Sequence, residues 1–121
     1  MKIEGSFDES FSPHIEIPIS GKKISVVVDT GFNGELMLPR LMLEGLGFKY
    51  SMKSEAELAD GSIVETTIYS GKISWFGRER IVQAVATESE DGLMGTEMLF
   101  GLTLFMDLDE NRVVLENKGH T

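Results

Sequence analysis

Hydrophobic and polar residues alternate along this chain in short runs broken by turn-forming residues, the pattern of an all-β protein. His14-Ile15-Glu16-Ile17-Pro18-Ile19 places its isoleucines on one face of a strand. Ser20-Gly21-Lys22-Lys23 then reads as a turn into Ile24-Ser25-Val26-Val27-Val28, a run apolar enough to be buried. Phe32-Asn33-Gly34 supplies an Asn-Gly pair suited to a tight, positive-φ turn, and Leu36-Met37-Leu38 is a short strand. Pro39 begins a brief helix through Leu43, stopped by Gly45 and Gly47. Residues 48–58 are extended, and Asp60-Gly61 is the strongest hairpin signal in the chain. Strands follow over 62–69, 72–76 and 81–86, with Gly77-Arg78 as a turn. Gly92-Leu93-Met94-Gly95-Thr96 leads into one or two helical turns over 96–100, with Thr96 as N-cap and Gly101 as the stop. Residues 102–108, the turn Asp109-Glu110-Asn111 and Val113-Val114-Leu115 form a closing hairpin. Asn117-Lys118-Gly119-His120-Thr121 reads as a frayed tail. With no internal repeat or linker, residues 1–121 are expected to form a single domain with its core at about 14–116.

Composition narrows the chemistry. A chain of 121 residues supports one modest core. It contains no apolar run of the roughly eighteen residues that a membrane helix needs, so no membrane partner is expected. Met1-Lys2-Ile3-Glu4-Gly5 lacks the apolar stretch of a secretory signal, and a cytoplasmic location is expected. The absence of cysteine excludes disulfides, thiolate metal sites and thiol catalysis. Twenty acidic against 11 basic residues give a net charge of −9, which argues against nucleic acid as a partner. The acidic cluster Glu88-Ser89-Glu90-Asp91 reads as a solvated loop.

The one position where charge and burial conflict is Asp29. It ends the apolar run 24–28, and a carboxylate there is costly unless it is used. Read alone, Asp29-Thr30-Gly31 also suits a plain strand-ending turn. Other candidates fall away. His14 and His120 lie far apart with no acidic residues at metal-ligand spacing, so no metal is expected. Ser25 and Ser70 have no visible base partner, and no Gly-rich phosphate loop is present. Asp107 and Asp109 read as surface residues of the last hairpin. Met37, Met42, Met94, Met98 and Met106 read as core fillers.

Asp29-Thr30-Gly31 after an apolar strand, followed by Gly92-Leu93-Met94-Gly95-Thr96 and the apolar stretch to Asp107, resembles the retropepsin-like aspartic proteases, and within them the small prokaryotic cellular type. The resemblance spans 14–116. It implies a closed retropepsin-like (acid protease) β barrel of about six strands, with one short C-terminal helix and a flap hairpin. A single Asp-Thr-Gly, in a chain too short for two lobes, implies a homodimer with one Asp29 from each subunit. Two carboxylates about 3 Å apart share one proton, leaving one base and one acid.

On this resemblance the chain is an aspartic endopeptidase acting on a peptide or protein substrate, with no metal or organic cofactor. Asp29 is the catalytic residue. Thr30 and Gly31 support its loop, Thr30 through the dimer axis. Leu93, Met94 and Gly95 pack beside it. Phe32, Asn33 and Gly34, with the hairpin tip Ala59, Asp60, Gly61 and Ser62, are the expected substrate contacts. The terminal segments are candidates for the dimer sheet, because the retroviral enzymes interleave theirs. Phe32 departs from the small residue that those enzymes carry after the catalytic glycine, and Asn33 and Gly34 stand where they use acidic residues. The alternative is a dimer of the same fold that binds extended peptides with little turnover; an unrelated β-barrel module in a regulatory complex is more distant.

Overall fold

The computed structural model describes residues 1–118. Ten strands form: β1 Lys2–Phe7, β2 Pro13–Ile19, β3 Lys22–Val28, β4 Leu36–Pro39, β5 Lys49–Glu57, β6 Ile63–Trp75, β7 Arg78–Thr87, β8 Leu93–Met94, β9 Leu102–Asp107 and β10 Arg112–Asn117. A short helix, α1 (Arg40–Gly45), follows β4, and a 3₁₀ turn, Thr96–Leu99, follows β8. The strands form one sheet in the order β5-β6-β7-β4-β8-β3-β2-β1-β10-β9.

The all-β expectation holds, but the sheet is not the closed barrel expected. Among the described residues its ends, β5 and β9, do not pair. The reason lies in β5, most of whose residues are exposed: it pairs with the distal half of β6 as a projecting arm. Only the part of β6 from Ile68 onward carries core residues, Ile68, Tyr69, Ile73 and Trp75. That half packs against β2, so the sheet folds over itself around one core. Ile15, Ile17 and Ile19 of β2 share the core face as their alternation predicts, joined by Val26, Leu36, Leu38, Leu43, Met94, Met98, Val113 and Leu115.

Turn chemistry sets the registers. Ser20-Gly21 (φ 51° and 76°) and Phe76-Gly77 (φ 51° and 78°) are two-residue hairpin loops with both residues left-handed, closing Ile19↔Lys22 and Trp75↔Arg78. The second lies one residue earlier than its expected place. The expected helix after Pro39 is present and ends one residue before Leu46, whose N–H bonds back to Met42. The expected C-terminal helix is a single 3₁₀ turn, with Gly95 and not Thr96 in the capping position. Asn33 and Gly34 do not take positive φ, so that pair is no tight turn of the expected kind.

The first strand, β1, falls outside the expected core, yet it lies between β2 and β10. The expected tail begins too early, since Asn117 belongs to β10; Gly119, His120 and Thr121 lie outside the described residues. Met94 and Met98 are fully buried, but Met106 is half exposed and fills no core. No helix among the described residues is long and apolar enough to cross a membrane.

Candidate active site

Asp29 follows the last residue of β3, where the strand is gripped from both sides. On one side β2 pairs along β3; on the other β8 runs parallel to it, Val27 opposite Leu93 and Val28 opposite Met94. The Asp29 N–H donates to the Met94 carbonyl at 2.9 Å, and Val27 N–H donates to the Gly92 carbonyl at 2.9 Å. The chain then turns: Phe32 N–H reaches the Asp29 carbonyl at 3.2 Å, and Gly31 N–H donates to Asp29 Oδ1 at 2.9 Å. Asp29 is half-buried and Thr30 exposed.

The residues after the turn are laced to the segment after β8. Gly95 N–H donates to Glu35 O at 2.9 Å, Thr96 N–H to Phe32 O at 2.8 Å and Glu97 N–H to Gly34 O at 3.3 Å. Gly95 is required by this approach, because a Cβ there would stand against the carbonyl oxygens of Gly34 and Phe32. The Phe32 ring packs over Gly34 and Gly95, its atoms 2.7–2.8 Å from where side chains at those positions would begin. Leu93, Met94 and Gly95 therefore lie directly beside the Asp29 loop.

Glu35, which closes the loop, was not among the sequence candidates. Its side chain is 15% exposed and accepts from Arg80 Nη2 at 2.7 Å and from Gln83 N–H at 2.8 Å, tying the loop to β7. Glutamate beside Asn-Gly carries no signal for such a partner, which the parallel β4–β7 pairing supplies.

Asp29 and Thr30 open onto a cavity of about 400 Å³ lined by Phe7, Phe11, Pro13, Val27, Val28, Leu104, Met106 and Leu108. Among the described residues lining it, Asp29 is the one acidic side chain. Phe32, Asn33 and Gly34 are not in its lining, nor is the β5–β6 tip. The tip is a well-formed loop of its own. Leu58 N–H bonds Ser62 O at 2.8 Å, Gly61 (φ 85°) closes the turn, and Asp60 Oδ1 accepts from the Ser62 hydroxyl at 2.6 Å and its N–H at 2.9 Å. Those bonds, the hydroxyl's foremost, hold the Asp60 carboxyl below its ordinary value.

Phe11, exposed at the rim of this cavity, was not among the sequence candidates, because a lone aromatic in the polar stretch Asp8-Glu9-Ser10-Phe11-Ser12 carries no signal by itself. Its loop is held by Asp8, whose Oδ1 accepts from Ser10 and Ser12 N–H at 2.8 and 3.0 Å and whose Oδ2 meets His14 Nε2 at 2.7 Å. His14 Nδ1 in turn lies 3.1 Å from Ser25 Oγ, so Ser25 does have an imidazole partner, contrary to expectation. The neighbours are adjacent because β2 and β3 pair with Glu16 opposite Ser25, setting His14 and Ser25 on one face. The Ser12 N–H, then His14, keeps Asp8 below the ordinary carboxylate range.

No protein-family model matches the chain, and no curated protein matches it in sequence. Solved structures do. A retropepsin-like aspartic protease from Rickettsia conorii superposes with a TM-score of 0.68 at 16% identity, covering 97% of this chain and 91% of that one. The protease of equine infectious anaemia virus (EIAV), solved with the inhibitor HBY-793, gives 0.61 at 19% identity over 84% of this chain and 99% of that one. Simian foamy virus protease gives 0.55 at 17% identity over 71% and 90%. The chain has the fold of the retropepsin-like aspartic proteases.

Proposed function

We propose that the protein is an aspartic endopeptidase whose catalytic dyad is Asp29 from each of two subunits of a homodimer. The observation that carries this reading is the placement of Asp29: a half-buried carboxylate on a hydrogen-bonded turn, facing an apolar cavity, in a chain with this fold. One carboxylate takes a proton from a water as its oxygen attacks the scissile carbonyl carbon. The other, protonated, donates to the carbonyl oxygen, giving a tetrahedral diol. Collapse of the diol breaks the C–N bond as the protonated carboxyl gives its proton to the amine nitrogen and a diol hydroxyl gives one to the other carboxylate, so the dyad is left with its single shared proton. No covalent enzyme intermediate forms.

Thr30 braces the two loops across the axis and Gly31 holds the carboxylate through its N–H. Leu93, Met94 and Gly95 fix the loop from behind. The β5–β6 hairpin acts as a flap, its tip Ala59-Asp60-Gly61-Ser62 closing over an extended substrate bonded through main chain. Phe32, Asn33 and Gly34 line the path of that substrate at the loop's far side. The protein works in the cytoplasm on peptides or proteins.

The test is cleavage of a diverse peptide library between about pH 4 and 7, the range of a shared-proton dyad, by wild type and Asp29→Asn. Cleavage with a bell-shaped pH profile, abolished in a folded and dimeric Asp29→Asn, is the expected result. Undiminished cleavage by the variant refutes the assignment.

A further inference from the structure

The loop joining β1 to β2 borders the Asp29 cavity, and one of its residues is held against its backbone preference. Phe11 has φ 62° and is 74% exposed, yet it lines that cavity. A bulky L-residue stays in the left-handed region only where its surroundings impose it. Here they do so through Asp8, the hub of residues 8–12. The Asp8 N–H donates to Ser12 O and its carbonyl accepts from Phe11 N–H, both at 3.0 Å, while Oδ1 takes the N–H groups of Ser10 and Ser12. Oδ2 is left over, and His14 Nε2 meets it at 2.7 Å. The imidazole is anchored at its other nitrogen as well, with Nδ1 3.1 Å from Ser25 Oγ on β3, four residues before Asp29. Glu4 and Glu16 share a cavity of about 440 Å³ with the ring, but among the described residues only Asp8 and Ser25 bond to it.

We infer that His14 is a positioning residue for the active site: through Asp8 it fixes the 8–12 loop, and with it Phe11, relative to the strand that carries Asp29. The inference rests on the reading of Asp29 as half of a dyad. The bridge suits the task because it is braced at both ring nitrogens and joins the loop to β2 and β3 in one step. With Asp8 ionised, Nε2 carries a proton toward it, and the Ser25 hydroxyl can donate to Nδ1 or accept from it. The ring is only 26% exposed, so water is a poor substitute for either contact. Without the imidazole, the Asp8 carboxylate is free to turn, and its bonds to Ser10 and Ser12 loosen with it. Phe11 then relaxes toward extended backbone, and the cavity loses the wall it supplies. Such a wall touches substrate before and during the reaction alike, so its loss raises KM and spares kcat.

The experiment combines amide exchange of the free protein with steady-state cleavage of one peptide that wild type cuts. The variants are His14→Leu, His14→Gln, Ser25→Ala and Phe11→Ala. Leucine fills the place of the ring without a bond, whereas glutamine keeps an N–H for Asp8. His14→Leu is expected to speed exchange at the Ser10 and Ser12 amides about tenfold and to raise KM about tenfold, the loss of one bond to a charged group. Its kcat should stay within about twofold of wild type. His14→Gln recovers most of both, and Phe11→Ala raises KM to the same extent. Ser25→Ala, at an exposed strand position, gives the changes of His14→Leu at about threefold and decides the matter where leucine impairs folding. A role confined to stability would instead lower kcat with the folded fraction and leave KM alone. Unchanged exchange in the His14 and Ser25 variants, or faster exchange at an unchanged KM, overturns the inference and leaves the Asp29 dyad standing. Cleavage indifferent to Asp29→Asn, or none by wild type, removes the dyad and this role with it.

Discussion

Replacing Gly95 by alanine is the sharpest test of how the Asp29 loop is held. A Cβ at this position meets the carbonyl oxygens of Gly34 and Phe32 and, at 2.8 Å, Cδ2 of the Phe32 ring. Carbon and oxygen at rest sit about 3.5 Å apart. The ring can rotate, but the two oxygens belong to backbone, so the whole of residues 32–34 must move. Overpacking of this kind costs about 1–3 kcal/mol. The same displacement strains Gly95 N–H to Glu35 O, Thr96 N–H to Phe32 O and Glu97 N–H to Gly34 O. Losing two of them adds about 1–3 kcal/mol, at about 0.5–1.5 kcal/mol net each. The sum, about 2–6 kcal/mol, corresponds to a fall in Tm of about 8 °C or more for a domain of this size. Gly45→Ala is the control, since nothing lies within 4 Å of a Cβ there and the residue ends α1. It should be neutral or raise stability by up to about 1 kcal/mol, because alanine favours helix. Thermal melts by circular dichroism, with urea midpoints at constant m-value, measure both. A Gly95→Ala melt within about 1 °C of wild type would refute the claim that this contact fixes the loop.

Further outcomes follow from neighbouring contacts. Glu35→Ala removes the acceptor for Arg80 and Gln83 and should cost about 1–3 kcal/mol in urea denaturation, whereas Glu35→Gln keeps an acceptor for the Gln83 N–H and should cost less; equal losses would show that the Gln83 bond carries nothing separable from the Arg80 charge contact. Met94 is fully buried, so Met94→Ala should cost about 2–5 kcal/mol and Met94→Leu less than about 1.5 kcal/mol by the same assay, and an alanine variant as stable as the leucine one would contradict that packing. Asp60 has a folded pKa below its unfolded value, so the native tip binds fewer protons there. Its contribution is present above the ordinary carboxylate range and is lost as pH falls through the depressed pKa. A carboxyl titration by NMR with a midpoint at or above that of a free aspartate would disprove the Ser62 contacts.

Local pattern made most of the strands legible. The isoleucines of β2 and the run ending at Val28 announced both the core face and the strand that carries Asp29, because period-two alternation needs no partner to be read. Turn positions were legible where glycine supplied the left-handed residue, as at Gly21 and Gly61. Asn33-Gly34 misled because the same dipeptide serves a different need: glycine there makes room for the Phe32 ring. β1 was unreadable since Lys2-Ile3-Glu4-Gly5-Ser6-Phe7 has only two large apolar residues, and its stability comes from two ladders, one of them to a strand at the far end of the chain.

The site divides along the same line. Asp29-Thr30-Gly31 and Gly92–Thr96 were visible as separate motifs, and their meeting follows once β8 lies parallel to β3. What periodicity could not convey was which strand would be left at the edge. Leu102-Thr103-Leu104-Phe105-Met106 reads as one arm of an ordinary closing hairpin, and a hairpin arm and an open edge have the same local sequence. Only the strand order puts β10 inside, between β1 and β9, and leaves β9 with one side of its backbone unmatched beside the carboxylate. The cost of an unpaired apolar edge is an aggregation hazard that selection ordinarily removes with a single lysine. Leu104, Met106 and Leu108, in that strand and the turn after it, line the cavity onto which Asp29 opens, so the surroundings of the carboxylate are set by the strand order and not by any local run of sequence.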